Sequence, residues 1–348
     1  MITKEFRGRD FLSLLDFTKE EFETILDVAM DLKRRYAIGE LHDHILRVKT
    51  LFMIFYNTSL RTRNSFEAGI QQLGGHANFL DSNKIYTPAI EGEEKAYSTE
   101  RVSDVARCLS KYGDAIAIRM YGPPTGWIYG KATQYMKEFA KWSAVPIINM
   151  ECDKYHPCQA AADMLTVKDK FGSFKGKKFV MSWAYSPSIE KPLSVPQSAI
   201  IAATKMGMDV VQVQPKGFEL DPEVIKACEG MAKMNGSKFE VSYNMDEAFK
   251  GAHVVYPKCW GSKDYFAKDE KGPDLKGMEK LFNQNKDWKC DEAKMKLADP
   301  NCIYMHCLPA DRGWEVTNEV MDGPQSVVFE QAENRLHAQK AIMSLIMR

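Results

Sequence analysis

Strand-like apolar runs alternate with helical patterns along nearly all of the 348-residue chain, and this alternation limits the fold more than any other feature. The first series of strand-like runs covers residues 50–56, 76–80, 115–120 and 145–149. The second covers 178–184, 209–214, 239–242, 252–257 and 302–307. Helical spacing fills the gaps at 63–73, 100–111, 133–142, 159–171, 194–206, 222–235 and 245–250, and again at 332–347. Such alternation implies parallel sheets covered by helices on both faces. The length exceeds one ordinary core and suits two. The expected fold class is therefore α/β, with two doubly wound parallel-sheet domains. Ligands in such sheets gather at the carboxyl ends of the strands.

Residues 10–36 read as two helices. Thr18 is the N-cap of the second, and Glu21 is its capping-box partner. Gly74-Gly75 ends the helix at 63–73. The polar, Lys- and Asp-rich stretch 261–299 reads as a long surface excursion, a candidate mobile lid.

Lys+Arg and Asp+Glu both number 47, so the formal net charge is zero. No global field draws the chain to nucleic acid or an anionic membrane, and an anionic substrate must be bound by local cations. The eight cysteines form no Cys-x-x-Cys pair, which favours reduced thiols and a cytoplasmic setting. No apolar signal core follows Met1, and no apolar run reaches transmembrane length. A soluble cytoplasmic protein is expected.

Four segments carry chemistry. Tyr56-Asn57-Thr58-Ser59-Leu60-Arg61-Thr62-Arg63 ends a strand and opens a helix. Helix-start N–H groups, the hydroxyls of Ser59 and Thr62, and the forks of Arg61 and Arg63 suit phosphate oxygens. A capped helix with two solvated arginines fits the spacing as well. The segment is neither a Gly-x-x-x-x-Gly-Lys-Ser/Thr loop nor a dinucleotide fingerprint, and no cofactor is expected. His156-Pro157-Cys158-Gln159 sets an imidazole and an amide at a strand-to-helix junction, where both could donate to a carbonyl oxygen. A helix-start proline beside an ordinary histidine is the plainer alternative. His306-Cys307-Leu308-Pro309 ends an apolar strand at an X-Pro bond open to the cis form. Cys307 is either a reactive thiol or inert packing. Strand alternation separates His306 from Cys307, so no zinc set is expected. Finally, Glu333-Asn334-Arg335 opens the last helix, where Arg335 is equally a surface arginine.

In their order and spacing these segments resemble the aspartate/ornithine carbamoyltransferase family. The family's Ser-x-Arg-Thr-Arg pattern appears at Ser59 to Arg63. Its His-Pro-x-Gln appears at His156, Pro157 and Gln159, and its His-Cys-Leu-Pro at His306 to Pro309. Its Glu-Asn-Arg appears at Glu333 to Arg335, and a family arginine matches Arg119. The resemblance implies a carbamoyl phosphate-binding domain at 1–152, with helix 330–348 packing back on it, and an acceptor-binding domain at 153–329. It implies a homotrimer with shared active sites, in which a neighbour's 81–94 region, Lys84 included, completes the phosphate site. It assigns Ser59, Leu60, Arg61, Thr62 and Arg63 to phosphate. Arg119, His156, Gln159 and Arg335 serve the carbamoyl oxygen, and the Cys307-Leu308 backbone holds the carbamoyl amino group. Trp183, Lys258 and Trp260 would lie against a small amino-acid acceptor, with Lys258 toward its carboxylate; a surface lysine and plain core packing of both tryptophans are the alternatives.

Ornithine enzymes of the family carry Asp-x-x-x-Ser-Met-Gly in the second domain. The stretch here is Val254-Val255-Tyr256-Pro257-Lys258-Cys259-Trp260. That wording and the Pro-rich segment 187–197 are similar to the family's knotted branch, which implies a trefoil knot in the second domain. The branch includes N-acetyl- and N-succinylornithine carbamoyltransferases and a group associated with purine and diaminopropionate catabolism, to which the wording is nearest. The expected acceptor is thus not plain ornithine. An ornithine or N-acylornithine enzyme of arginine metabolism is the alternative. A non-catalytic carbamoyl phosphate-binding regulator is the alternative of another class.

Overall fold

The computed structural model describes residues 4–269 and 271–347. Residues 1–3 and 348, at the limits of the expected domains, and position 270 lie outside the described residues. The chain divides into two compact units. The first holds Met1–Thr125, Gly130–Leu165 and Asn334–Arg348, and the second holds Gly126–Tyr129 and Thr166–Glu333. The division falls inside two helices, later in the chain than the sequence reading of 152/153 and 329/330.

In the first unit, strands β1 (Thr50–Phe55), β2 (His76–Asp81), β5 (Ala115–Arg119) and β6 (Ile147–Glu151) form a parallel sheet in the order β2-β1-β5-β6. Its inner strands are apolar on both faces, with Leu51 to Phe55 and Ala115 to Arg119 all buried. A short pair, β3 (Thr87–Ala89) and β4 (Thr99–Arg101), lies outside that sheet. The helices are α1 (Lys19–Ala37), α2 (Arg61–Gln72), α3 (Val102–Leu109), α4 (Lys131–Trp142) and α5 (Pro157–Phe171). The last of these passes into the second unit.

Thr18 caps α1 with Glu21 as its reciprocal partner, as expected. The helix expected before it is absent. Ser13 caps only a 3-10 turn at Leu14–Asp16. Phe11 instead bonds to β6: its N–H donates to Ile147 O at 2.8 Å and its carbonyl accepts from Asn149 at 2.9 Å. Helix α2 starts two positions earlier than its apolar spacing indicates, so Arg61 to Arg63 occupy its first turn. Gly74 ends that helix region at φ +87°, where an added Cβ would meet Asp43 O at 1.7 Å.

The second unit's strands are β7 (Lys178–Trp183), β8 (Asp209–Val213), β9 (Phe239–Ser242), β10 (Val254–Lys258) and β11 (Ile303–Tyr304). They form a parallel sheet in the order β11-β10-β7-β8-β9. Helix α6 (Ser194–Lys205) is buried along its whole length. It packs against α7 (Pro222–Asn235), and the unit also carries α8 (Met245–Phe249), α9 (Leu275–Asn283), α10 (Glu292–Met295) and α11 (Asn318–Met321). Helix α12 (Val328–Ile346) passes from the second unit into the first. Strand β11 is shorter than the 302–307 run. The His306 N–H turns to the Gln331 side chain at 2.8 Å, and the Leu308-Pro309 bond is cis.

Residues 261–299 are not a loose excursion. They carry α9 and α10, and they bury Phe266, Met278, Phe282, Cys290 and Met295. The signal was hidden because these apolar residues are spaced among many lysines and aspartates. Phe282 lies against Trp183 and Phe218, with ring centroids at 5.5 and 5.0 Å. Phe282→Ala should therefore destabilise the protein by about 3–5 kcal/mol in denaturant titration. A change below about 1 kcal/mol would mean that this stretch does not belong to the core.

Candidate active site

The first unit gathers its polar residues at the carboxyl ends of β1, β5 and β6. Strand β1 delivers Ser59 and then Arg61 and Thr62 in the first turn of α2. Strand β5 ends on Arg119, and β6 ends on Glu151 shortly before His156 and Gln159. Arg335 comes from α12 and is only 2% exposed, which settles against a surface arginine.

The Thr62 hydroxyl joins these elements. It accepts from Arg335 Nη2 at 2.8 Å and from Arg119 Nη1 at 3.4 Å. Arg335 Nη1 also donates to Gln159 Oε1 at 2.6 Å. Arg119 pairs with Glu151 at 2.5 Å, and His156 Nε2 lies 3.7 Å from the same carboxylate oxygen. Gln159 Nε2 donates to Asp163 Oδ1 at 2.8 Å. Two buried arginines are thus set among two buried carboxylates, and half-buried Arg61 adds a further positive charge.

Burial holds the His156 pKa well below its ordinary value, and Arg335, Arg119 and Arg61 push the same way. The imidazole is neutral at pH 7 and carries one N–H donor. Burial also lowers Arg335, against the opposing pull of nearby groups including Asp163 and Glu151.

Arg63 is engaged by residues of its own neighbourhood. Its Nε donates to Glu67 at 3.0 Å, and its guanidinium covers the Phe79 ring at 3.6 Å. Ser59, Leu60 and Arg63 line a cleft with Phe79, Asp81 and Asn83.

In the second unit a buried carboxylate plays the organising part. Glu315 is fully buried and accepts the N–H groups of Cys259 and Asp311, each at 2.7 Å. Lys258 Nζ lies 3.5 Å from its Oε1, and His306 Nε2 lies 3.2 Å from its Oε2. Burial alone would raise Glu315, but Lys258 and His306 outweigh it and hold the carboxyl well below its usual range. Burial alone would lower Lys258, but Glu315 and other nearby groups keep it charged. Burial lowers His306. Leu308 N–H donates to His306 Nδ1 at 2.9 Å, so the neutral ring carries its proton on Nε2, toward Glu315. Cys307 is buried beside this group. Nearby, Asp311 accepts from Lys191 at 2.5 Å and from Ser186 at 2.6 Å.

Trp183 and Trp260 are both fully buried. The Trp183 indole N–H donates to Trp260 O, and the Trp260 indole N–H donates to Phe218 O, both at 2.9 Å. Each uses its single donor inside the core. Among the described residues, no group of three His, Cys, Asp or Glu side chains is placed to hold a metal ion, and no helix is long and apolar enough to cross a membrane.

Two family signatures cover most of the chain. The carbamoyl-P binding domain of aspartate/ornithine carbamoyltransferases matches residues 9–169, and the Asp/Orn binding domain matches 191–346. The chain belongs to the aspartate/ornithine carbamoyltransferase family. It is 41% identical over 340 residues to an ornithine carbamoyltransferase of Thermococcus kodakarensis, covering 98% of this chain and 96% of that one. The solved structure of an ornithine carbamoyltransferase from Pyrococcus furiosus superposes with a TM-score of 0.81 at 40% identity, over 98% of each chain. That of an acetylornithine transcarbamylase complexed with acetylcitrulline gives 0.90 at 34% identity, over 98% and 99%. Members of this family are transferases of the carbamoyl group, and this chain is one.

Of the residues marked from sequence, the first unit brings together Thr62, Arg119, His156, Gln159 and Arg335. Cys307, Leu308 and Lys258 belong to the second unit. Sequence reading missed Glu151, Asp163 and Glu315. For the first two a signal existed: each is an acid within an otherwise apolar strand or helix, a position that demands a partner.

The histidine assignment has a direct check. His156 binds its proton less readily folded than unfolded, so it favours folding above its ordinary pKa near 6.5. That contribution is lost as pH falls below this value. NMR of the imidazole carbons should show His156 neutral throughout pH 6.5–8. A midpoint at or above about 6.5 would contradict the buried, arginine-flanked setting.

Proposed function

We propose that the chain moves a carbamoyl group between carbamoyl phosphate and the amino group of a small amino acid other than plain ornithine. The observation that carries the choice of acceptor is Lys258, half-buried and charged against Glu315, where ornithine enzymes carry an aspartate-based motif. Plain ornithine has a free α-ammonium, which the Lys258 ammonium repels. An acceptor with a carboxylate or an acyl oxygen at that position is attracted.

Carbamoyl phosphate is a mixed anhydride. A neutral amine attacks its carbonyl carbon, the carbonyl pair moves onto oxygen, and the intermediate collapses as the C–O bond to phosphate breaks. The departing phosphate accepts the amine proton, so neither a covalent enzyme intermediate nor a dedicated base is needed. The protein orients the reactants and stabilises developing charge.

Ser59, Arg61, Thr62 and the N–H groups from Leu60 onward serve the phosphate. The charge of Arg63 supports them from its place on Phe79. Because Thr62 Oγ1 accepts from two arginines, its own proton remains to be donated to an anion. Arg119 and neutral His156 serve the carbamoyl oxygen, with Arg335 and Gln159 behind them. The Cys307-Leu308 backbone holds the carbamoyl amino group. Trp183 and Trp260 act on the acceptor side as rigid packing beneath Lys258. The same groups serve the reverse reaction, phosphorolysis of a ureido acid.

A cytoplasmic homotrimer belongs to the same proposal. In it the 81–94 segment of one subunit, with exposed Lys84, completes a neighbour's site. So does a knotted crossing at 187–197, a stretch whose Lys191 carbonyl accepts from Gly261 N–H at 2.9 Å.

An amine panel containing ornithine, its N-acetyl and N-succinyl forms and 2,3-diaminopropionate tests the reading. With carbamoyl phosphate, at least one acceptor should release phosphate faster than ornithine does. Fastest turnover with ornithine would overturn the acceptor assignment. No turnover with any amine, and no phosphorolysis of ureido acids, would favour a binding protein. Arg61→Ala should weaken carbamoyl phosphate binding by about ten- to a hundredfold in isothermal titration, as expected for a lost charged hydrogen bond. Unchanged affinity would remove Arg61 from the site.

A further inference from the structure

Both ends of the Gln159 amide are committed in the first unit. Its oxygen accepts from Arg335 Nη1 at 2.6 Å, and its nitrogen donates to Asp163 Oδ1 at 2.8 Å. A guanidinium offers no acceptor and a carboxylate offers no donor, so the amide can face only one way. Asp163 lies one turn beyond Gln159 on α5, at the spacing that puts two side chains on one helix face. It is fully buried, and Gln159 and Arg335 are each 2% exposed. Water therefore does not substitute readily for either bond.

We propose that Asp163 is a positioning residue for carbamoyl phosphate. It locks the Gln159 amide so that the oxygen, rather than the NH2 group, faces Arg335, and so fixes the guanidinium that also reaches Thr62. This rests on the function proposed above and adds a residue to it. The chain Asp163–Gln159–Arg335–Thr62 runs from a buried negative charge to the first turn of α2, and every link has a fixed direction. If the amide rotated by half a turn, it would point N–H groups at a guanidinium, and Arg335 would lose one of its two anchors.

The proposal changes the part played by Gln159. A side chain that donates to the carbamoyl oxygen needs its nitrogen. A side chain that acts by holding Arg335 needs only its oxygen. An exchange of two residues separates the cases. Gln159→Glu with Asp163→Asn moves the amide from one residue to the other and preserves size and net charge. The carboxylate introduced at position 159 has no donor. It still accepts from Arg335 with one oxygen, and from the amide introduced at position 163 with the other. Gln159→Glu alone sets two carboxylates face to face in a buried site.

The readouts are the KM for carbamoyl phosphate and kcat, in the presence of an acceptor the wild type uses, with thermal unfolding to confirm the fold of each variant. Gln159→Glu should raise the KM by about tenfold or more. The double variant should return to within about threefold of wild type, with kcat recovered alongside. A folded double variant as impaired as Gln159→Glu would overturn the proposal, because position 159 would then need its N–H. An unimpaired Gln159→Glu would overturn it as well. If the single variant does not fold, the double variant decides alone. Wild-type KM supports the proposal, and a raised KM or failure to fold overturns it. A wild type that neither binds nor turns over carbamoyl phosphate would instead defeat the proposed function, and that outcome is read before any variant is made.

Discussion

One hydroxyl organises the first unit. Thr62 Oγ1 accepts from two arginines far apart in the sequence, Arg119 at the end of β5 and Arg335 in α12. Arginines brought together repel, and buried arginines lose hydration. The arrangement holds because each guanidinium also has a second anchor: Glu151 for Arg119 and Gln159 for Arg335. Thr62 sits in the first turn of a helix, where backbone N–H groups lack internal partners. Fixed donors are thus assembled before any substrate arrives, which is what electrostatic catalysis requires.

The second unit solves the converse problem. Glu315 is a buried anion that draws Lys258, His306 and two backbone N–H groups around itself. That carboxylate ties the end of β10 to the turn after β11. Lys258 is held charged against that carboxylate. The proposed choice of acceptor rests on that charge. The indoles of Trp183 and Trp260 stiffen the core around this strand end and have no donor left for a ligand.

The fold was largely legible. Runs such as Leu51 to Phe55 are buried on both faces, and their alternation with helices already demands parallel sheets. What escaped depended on partners distant in sequence. Residues 10–12 read as helix because nothing local reveals that Phe11 will bond to β6. Residues 261–299 read as a surface excursion because charge counts hide Phe282 and Cys290. The polar site was half legible. Arginines and histidines stood out at strand ends. Of the acids that orient them, Glu151 and Asp163 stood in apolar surroundings that call for a partner, whereas Glu315 looked ordinary until the fold set it beside cations. Arg63 is the reverse case: it stood out in the motif, and the structure engages it with Glu67 and Phe79.

If carbamoyl phosphate binds as proposed, the arginines gathered on the Thr62 hydroxyl are what receive it. Thr62→Val keeps the shape and removes that oxygen, and isothermal titration with carbamoyl phosphate in the absence of any acceptor reads the effect. Affinity should fall by about tenfold or more, with thermal stability lowered by no more than a lost hydrogen bond implies. A folded Thr62→Val protein that binds carbamoyl phosphate as the wild type does would contradict that assignment.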